Sequence, residues 1–147
     1  GEADVEAESE LDRMLGELAR GAVADRERLE LSVSPAHTRT PTHIDDIAEG
    51  LLLALGSPKS VGEDFNFGAA DELAIAEIAR IAWEACDGRA DGLSLQPPHG
   101  QPGRQRSSPS TQKARRLLGW QARVQAHDGI AASARQALDA SASAELV

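Results

Sequence analysis

The sequence predicts a small, helix-rich α/β lobe of α+β character, built around a short mixed sheet and without a doubly wound sheet. Three observations carry this. Apolar residues recur at offsets of three and four in four or five segments, the spacing of amphipathic helices. Three or four segments alternate apolar and polar residues over only three to five positions, which gives short strands with one buried face. Longer continuous apolar strands, which a parallel sheet covered on both faces requires, are missing. The 147 residues suffice for one domain with a modest core. Aromatics make up 3% of the chain, so Ala and Leu, both strong helix formers, supply much of the apolar surface.

The elements follow in order. Leu11, Met14, Leu15 and Leu18 form the stripe of a first helix, with Gly21 as its expected stop. Leu29, Leu31 and Val33 alternate with Glu30 and Ser32 as a strand ended by Pro35. His43-Ile44-Asp45-Asp46 enters a second helix, with Asp45 or Asp46 as its expected cap. Ile47, Leu51, Leu52 and Leu55 are its expected buried stripe, and Gly56 and Pro58 end it. Phe65-Asn66-Phe67-Gly68 reads as a short strand entering a turn. The segment 74–86 is a helix with Ile75, Ile78, Ala79, Ala82 and Cys86 inward, broadened by Ile81 and Trp83 and stopped at Asp87-Gly88. Leu93-Ser94-Leu95 reads as a strand, and residues 99–109 as a loop. Ser110 caps an expected helix over 111–118 that Gly119 ends. A last helix is expected over 128–140, with Ile130, Ala134, Ala137 and Leu138 on one face.

Charge and composition exclude several classes. The net charge is -9, and the first twelve residues hold six carboxylates and no base, so no basic face for nucleic acid is expected. One cysteine, Cys86, permits neither an internal disulfide nor a cysteine-paired zinc site, and it reads as a small core residue. His37, His43, His99 and His127 lack the close spacing of a helical metal site. The longest apolar run, LLLAL, is far too short to span a bilayer, so no membrane partner is expected. With no signal-peptide pattern at the start, a cytoplasmic setting is the default. There is no glycine-rich dinucleotide turn, no Walker sequence, no nucleophile elbow and no tyrosine. The adjacent carboxylates Asp45 and Asp46 do not face one another on a helix and read as capping groups.

Three segments in order carry a resemblance. Residues 39–55, RTPTHIDDIAEGLLLAL, are similar to an arginine, a His-hydrophobic-Asp-Asp entry and a helix. Residues 62–86, GEDFNFGAADELAIAEIARIAWEAC, resemble a G-E-x-Y-N-x-G stretch followed by a helix, with Asn66 and Gly68 in matching places. Residues 110–124, STQKARRLLGWQARV, resemble a D-x-x-K-A-x-x-x-L-G-W segment. Together they resemble the C-terminal part of the NAD-dependent epimerase/dehydratase family, the extended short-chain dehydrogenase/reductases that modify nucleotide sugars. Coverage is clear over 39–138; a looser match over 11–38 rests on helix-strand order.

The resemblance implies a C-terminal substrate-binding domain over 10–140 that lacks the Rossmann domain. An acidic segment 1–9, disordered or frayed, would precede it and a frayed tail 141–147 would follow. The implied function is to bind the nucleotide diphosphate sugar of an epimerase or 4,6-dehydratase, an isomerase or lyase that is inactive as this portion alone. No cofactor and no catalytic residue are expected in this chain. NAD, the tyrosine base and its lysine belong to the missing N-terminal Rossmann domain, the second implied partner. The alternatives are a stand-alone binding or interaction module, and a nonfunctional fragment derived from such a domain.

By the same resemblance Arg39 contacts the diphosphate, whose oxygens suit a forked guanidinium. Its structural alternative is an arginine paired with Asp45 or Asp46. A second phosphate contact falls to Arg106, with Arg104 as substitute, in a loop that departs from the family's R-x-G-D pattern and has Ser110 where an Asp is usual. The strand from Leu29 lines the base pocket in the family. Lys113 reads as structural, Asn66 as a backbone-bonding turn residue, His43 as a packed strand residue, and Trp120 as an apolar clamp on a helix end.

Overall fold

The computed structural model describes residues 2–100, 106 and 109–146, with side chains described from Glu10 onward. Helix α1 spans Glu2–Ala24, strand β1 Leu29–Ser32, strand β2 Thr38–Arg39 and helix α2 Ile44–Gly56. A 3-10 turn at Pro58–Ser60 leads on to strand β3, Leu73–Ala74, and helix α3, Ile75–Ala85. Strand β4 is Leu93–Gln96, helix α4 Gln112–Leu118 and helix α5 Ala126–Glu145.

The core is helical. α5 packs on both α1 and α3. Met14 and Leu18 of α1 meet Ile75, Ile78, Ala82 and Trp83 of α3 and Ile130 and Ala134 of α5, with Leu31 and Val33 beneath. The expected stripe of α3 is buried throughout, because both of its apolar flanks find a neighbouring helix. No side chain caps α3; the carbonyls of His37 and Pro35 take the N–H groups of Ile75 and Ala76 instead, at 2.8 and 3.1 Å. Cys86 ends the helix inside the core, where burial raises its thiol pKa.

Among the described residues, two separate two-stranded ladders replace the expected mixed sheet. β1 pairs parallel with β4, Leu29 opposite Leu93 and Ser32 opposite Gln96. β2 pairs antiparallel with β3, Thr38 opposite Ala74 and Arg39 opposite Leu73. The segment 65–68, expected as a short strand, is irregular and joins neither ladder. Its Asn66 bonds backbone as expected, but across the fold, donating Nδ2 to the Ser110 carbonyl at 3.3 Å.

Several boundaries differ from expectation for local reasons. α1 starts eight residues before Glu10, through a segment rich in the helix formers Ala and Glu. It also runs past Gly21, whose bare Cα admits Leu29: a Cβ there would sit 2.6 Å from Leu29 Cδ1. α4 begins at Gln112, with Thr111 rather than Ser110 at its N-cap position. It ends as expected at Gly119, left-handed at φ 67°, with its N–H on the Arg115 carbonyl. α5 extends at both ends, to Ala126 and Glu145.

The largest departure is α2. Its expected inward residues Leu51, Leu52 and Leu55 are 52%, 70% and 85% exposed, and Ile47 is half-buried. The buried residues are Asp46 and Gly50. Asp46 accepts from the backbone N–H groups of Arg123 and Val124 at 3.1 and 3.0 Å, and its carbonyl accepts from Trp120 Nε1 at 2.8 Å. Gly50 lies against Phe67, where a Cβ would come within 2.6 Å of the ring, and Phe67 meets Trp120 edge-on at 4.9 Å. The cap is His43, not an aspartate: its Nδ1 accepts from the Asp45 N–H at 3.3 Å.

Candidate functional site

Two of the residues expected to hold phosphate, Arg39 and Arg106, lie at the β2–β3 ladder. Arg39 lies on β2 and is 7% exposed. Its Nη2 donates to Glu10 Oε2 on α1 at 2.9 Å and its Nη1 to the Thr38 carbonyl at 2.8 Å. Its Nε is buried with no partner among the described residues. The acid it pairs with is therefore neither Asp45 nor Asp46, and the pair ties α1 to β2.

Arg106 takes the opposite form. It is exposed, and its Nε and Nη2 make a two-pronged contact with Glu72, at 2.9 and 2.6 Å. That contact holds the guanidinium further toward its charged form. The same carboxylate accepts from Thr38 Oγ1 at 2.5 Å. Consecutive strand residues point to opposite faces, so the Thr38–Glu72–Arg106 cluster and the Arg39–Glu10 pair occupy opposite sides of β2. The two arginines are each matched to a different carboxylate.

Arg104 lies outside the described residues, as do Gln101 and Gly103 of the same loop. Leu29 sits at the start of β1 with its side chain against Gly21 of α1, packed on the core. Lys113 bridges Glu63 and Asp64 at 3.2 and 2.6 Å, joining α4 to the chain after the 3-10 turn. Its hydrogen bond lowers the Asp64 carboxyl below the usual range. Trp120 is buried and clamps the Gly119 turn onto α2.

Glu10 and Glu72 were not legible as partners. They lie 29 and 34 residues from Arg39 and Thr38, and no short pattern links them. A cavity of about 300 Å³ is lined by Pro41, Thr42 and His43, which follow Arg39 in sequence, and by Leu11, Gly129 and Ser133. Among the described residues, no group of three or more His, Cys, Asp or Glu could hold a metal ion. No described helix is long and apolar enough to cross a membrane.

Compared as a sequence, the chain matches no family model and no curated protein. Its structure does match. It superposes on RMD from Pseudomonas aeruginosa, solved with NADPH, at a TM-score of 0.73 and 15% identity, covering 88% of this chain and 42% of that one. The fold is that of part of an NAD-dependent epimerase or dehydratase. UDP-glucuronic acid 4-epimerase from Bacillus cereus, solved with UDP-glucuronic acid and NAD, gives 0.68 and 24% identity over 84% of this chain and 39% of that one. dTDP-glucose 4,6-dehydratase from Bacillus anthracis, solved with NAD, gives 0.64 and 17% over 82% and 37%. The chain thus spans about two-fifths of the enzymes it resembles.

Among the described residues, no strand-to-helix junction carries the glycine-rich turn of a dinucleotide site. A dinucleotide site needs a glycine-rich turn between a strand and a helix, whose N–H groups meet the pyrophosphate. Here β3 runs directly into α3, and the four residues 40–43 between β2 and α2 contain no glycine.

Proposed function

We propose that this chain is the nucleotide-sugar-binding portion of an NAD-dependent epimerase or 4,6-dehydratase, with the oxidation and proton transfer carried by a separate part. The observation behind this reading is the fold likeness, which includes enzymes solved with UDP-glucuronic acid or named for dTDP-glucose. The arginines add a chemical reason. A diphosphate presents the same paired oxygens as the Glu72 carboxylate, so it can replace Glu72 on the Arg106 fork. Arg106 is the accessible group; Arg39 acts from beneath, holding β2 on α1. The absence of tyrosine in the chain is consistent with catalysis lying elsewhere.

Calorimetric titration with UDP-glucuronic acid, dTDP-glucose and a GDP-sugar tests the reading. One of the three binds, and Arg106→Ala weakens it roughly tenfold, as expected for loss of a charge-assisted contact. Glu72→Gln strengthens it by freeing the fork. No heat with any of them, or equal affinity in Arg106→Ala, overturns the assignment.

A second reading draws on the ion pairs themselves. Both arginines are already matched by carboxylates, the arrangement of a structural network in a stand-alone binding or interaction module. Unchanged nucleotide affinity together with lost stability in Arg106→Ala favours that reading.

A further inference from the structure

Arg39 and Arg106 offer the same edge to their carboxylates, and only one of the two edges is fully used. In a guanidinium, Nε and one terminal nitrogen form a side that can hold two oxygens at once. Arg106 fills that side: its Nε and Nη2 donate to different oxygens of Glu72. Arg39 fills half of it. Its Nη2 donates to Glu10 Oε2 and its Nη1 to the Thr38 carbonyl, while its Nε is buried with no partner among the described residues. The Arg39 side chain is 8% exposed, so this N–H is shut off from bulk solvent, and a buried donor without an acceptor is costly. A group with two oxygens would satisfy Nε and Nη2 together. At Arg106 such a group only replaces two oxygens already in place.

Glu10 is placed to let go. Its side chain is 23% exposed, so the pair meets solvent on the Glu10 side. It lies just before Leu11, the first described residue of α1 to pack against the core, and the fully buried Met14 and Leu18 hold the helix further on. Unwinding α1 as far as Glu10 therefore uncovers no described core residue, and helix ends open at little cost. The segment is also polyanionic. The first twelve residues hold six carboxylates and no base, so they offer Arg39 the kind of charge a phosphate carries. We infer that Glu10 is a built-in competitor at Arg39, a carboxylate that holds the arginine by one oxygen and must leave before a diphosphate can take the Nε–Nη2 side. The apparent affinity is then the intrinsic one reduced by the fraction of molecules in which Glu10 has let go. The choice of a diphosphate rests on the proposed function; the half-filled edge does not.

Calorimetric titration of the intact protein and of Glu10→Gln with inorganic pyrophosphate tests this. Glutamine keeps the shape and loses the charge, so pyrophosphate binds the variant about tenfold more tightly. Adding Arg39→Lys cancels the gain, because an ammonium has no planar side to grip two oxygens. A purely structural tie between Glu10 and Arg39 gives no gain. Equal or weaker binding in Glu10→Gln, no binding by either protein, or a gain that survives Arg39→Lys overturns the inference. Should Glu10→Gln fail to fold, the parent protein answers alone. Pyrophosphate then shifts the arginine Nε–H NMR resonance that Arg39→Lys removes, and an unmoved resonance overturns the inference. UDP-glucuronic acid, dTDP-glucose and the GDP-sugar, titrated in parallel, separate the two ideas. A gain for pyrophosphate without nucleotide-sugar binding sinks the proposed function and keeps the competitor. Nucleotide-sugar binding left unchanged by Glu10→Gln, with pyrophosphate binding unchanged as well, does the reverse.

Discussion

Helices α2 and α3 have similar lengths and similar shares of apolar residues, yet they meet opposite fates. α3 places Ile75, Ile78, Ala79 and Ala82 at 2% exposure or less, sealed by α1 and α5. α2 turns Leu51, Leu52 and Leu55 outward and buries an aspartate and a glycine. The difference teaches that a helix faces whatever its neighbours must satisfy. The 120–124 segment follows a helix end and brings the backbone N–H groups of Arg123 and Val124, plus an indole N–H, that need acceptors. Asp46 supplies all three acceptor contacts, and Gly50 lets Phe67 reach Trp120. Unpaired donors withdrawn from water cost more than exposed leucines, so the leucines are left exposed.

If the contrast holds, substitutions in the two helices diverge in a fixed order. Trp83→Ala on α3 has the largest effect, about 3–5 kcal/mol of stability in urea unfolding, because the ring is fully buried and its Nε1 bonds the Arg89 carbonyl. Asp46→Ala on α2 comes next, at about 1.5–3 kcal/mol, since it strands the N–H groups of Arg123 and Val124. Gly50→Ala costs less, about 1 kcal/mol net: overpacking against Phe67 is partly offset by alanine's better helix propensity. Leu52→Glu changes stability by no more than about 0.5 kcal/mol, as at other exposed positions.

The smallest effect is a pH dependence. The hydrogen bond from Lys113 holds the Asp64 carboxyl below its ordinary value, so the pair stabilises the fold above the unfolded pKa. That contribution is lost as pH falls through the lowered value. An NMR titration should place the Asp64 midpoint below its ordinary value, and Lys113→Met should raise it toward that value.

Much of the core was legible in the sequence. Every expected inward residue of α3 is buried, and Leu31, Val33, the Leu93–Leu95 strand and the Gly119 stop stand where periodicity and turn chemistry put them. Those features depend on neighbours within a few residues. The α2 face was misread because a stripe of leucines specifies burial without naming the partner that provides it. The division into two ladders was illegible because β2 and β3 are two residues each, too short for any alternation. For the candidate site, the sequence singled out Arg39 and Arg106 but not the carboxylates they meet, since Glu10 and Glu72 arrive through tertiary packing.

The central structural claim is that α2 presents an apolar outer face that the described residues leave open. Urea unfolding of Leu51→Glu/Leu52→Glu/Leu55→Glu beside Ile78→Ala tests it most directly. The account predicts that the triple variant stays within about 1 kcal/mol of the parent, while Ile78→Ala loses about 2–5 kcal/mol. A triple variant as damaged as Ile78→Ala would contradict it, because the outer face of α2 would then be closed by the chain itself.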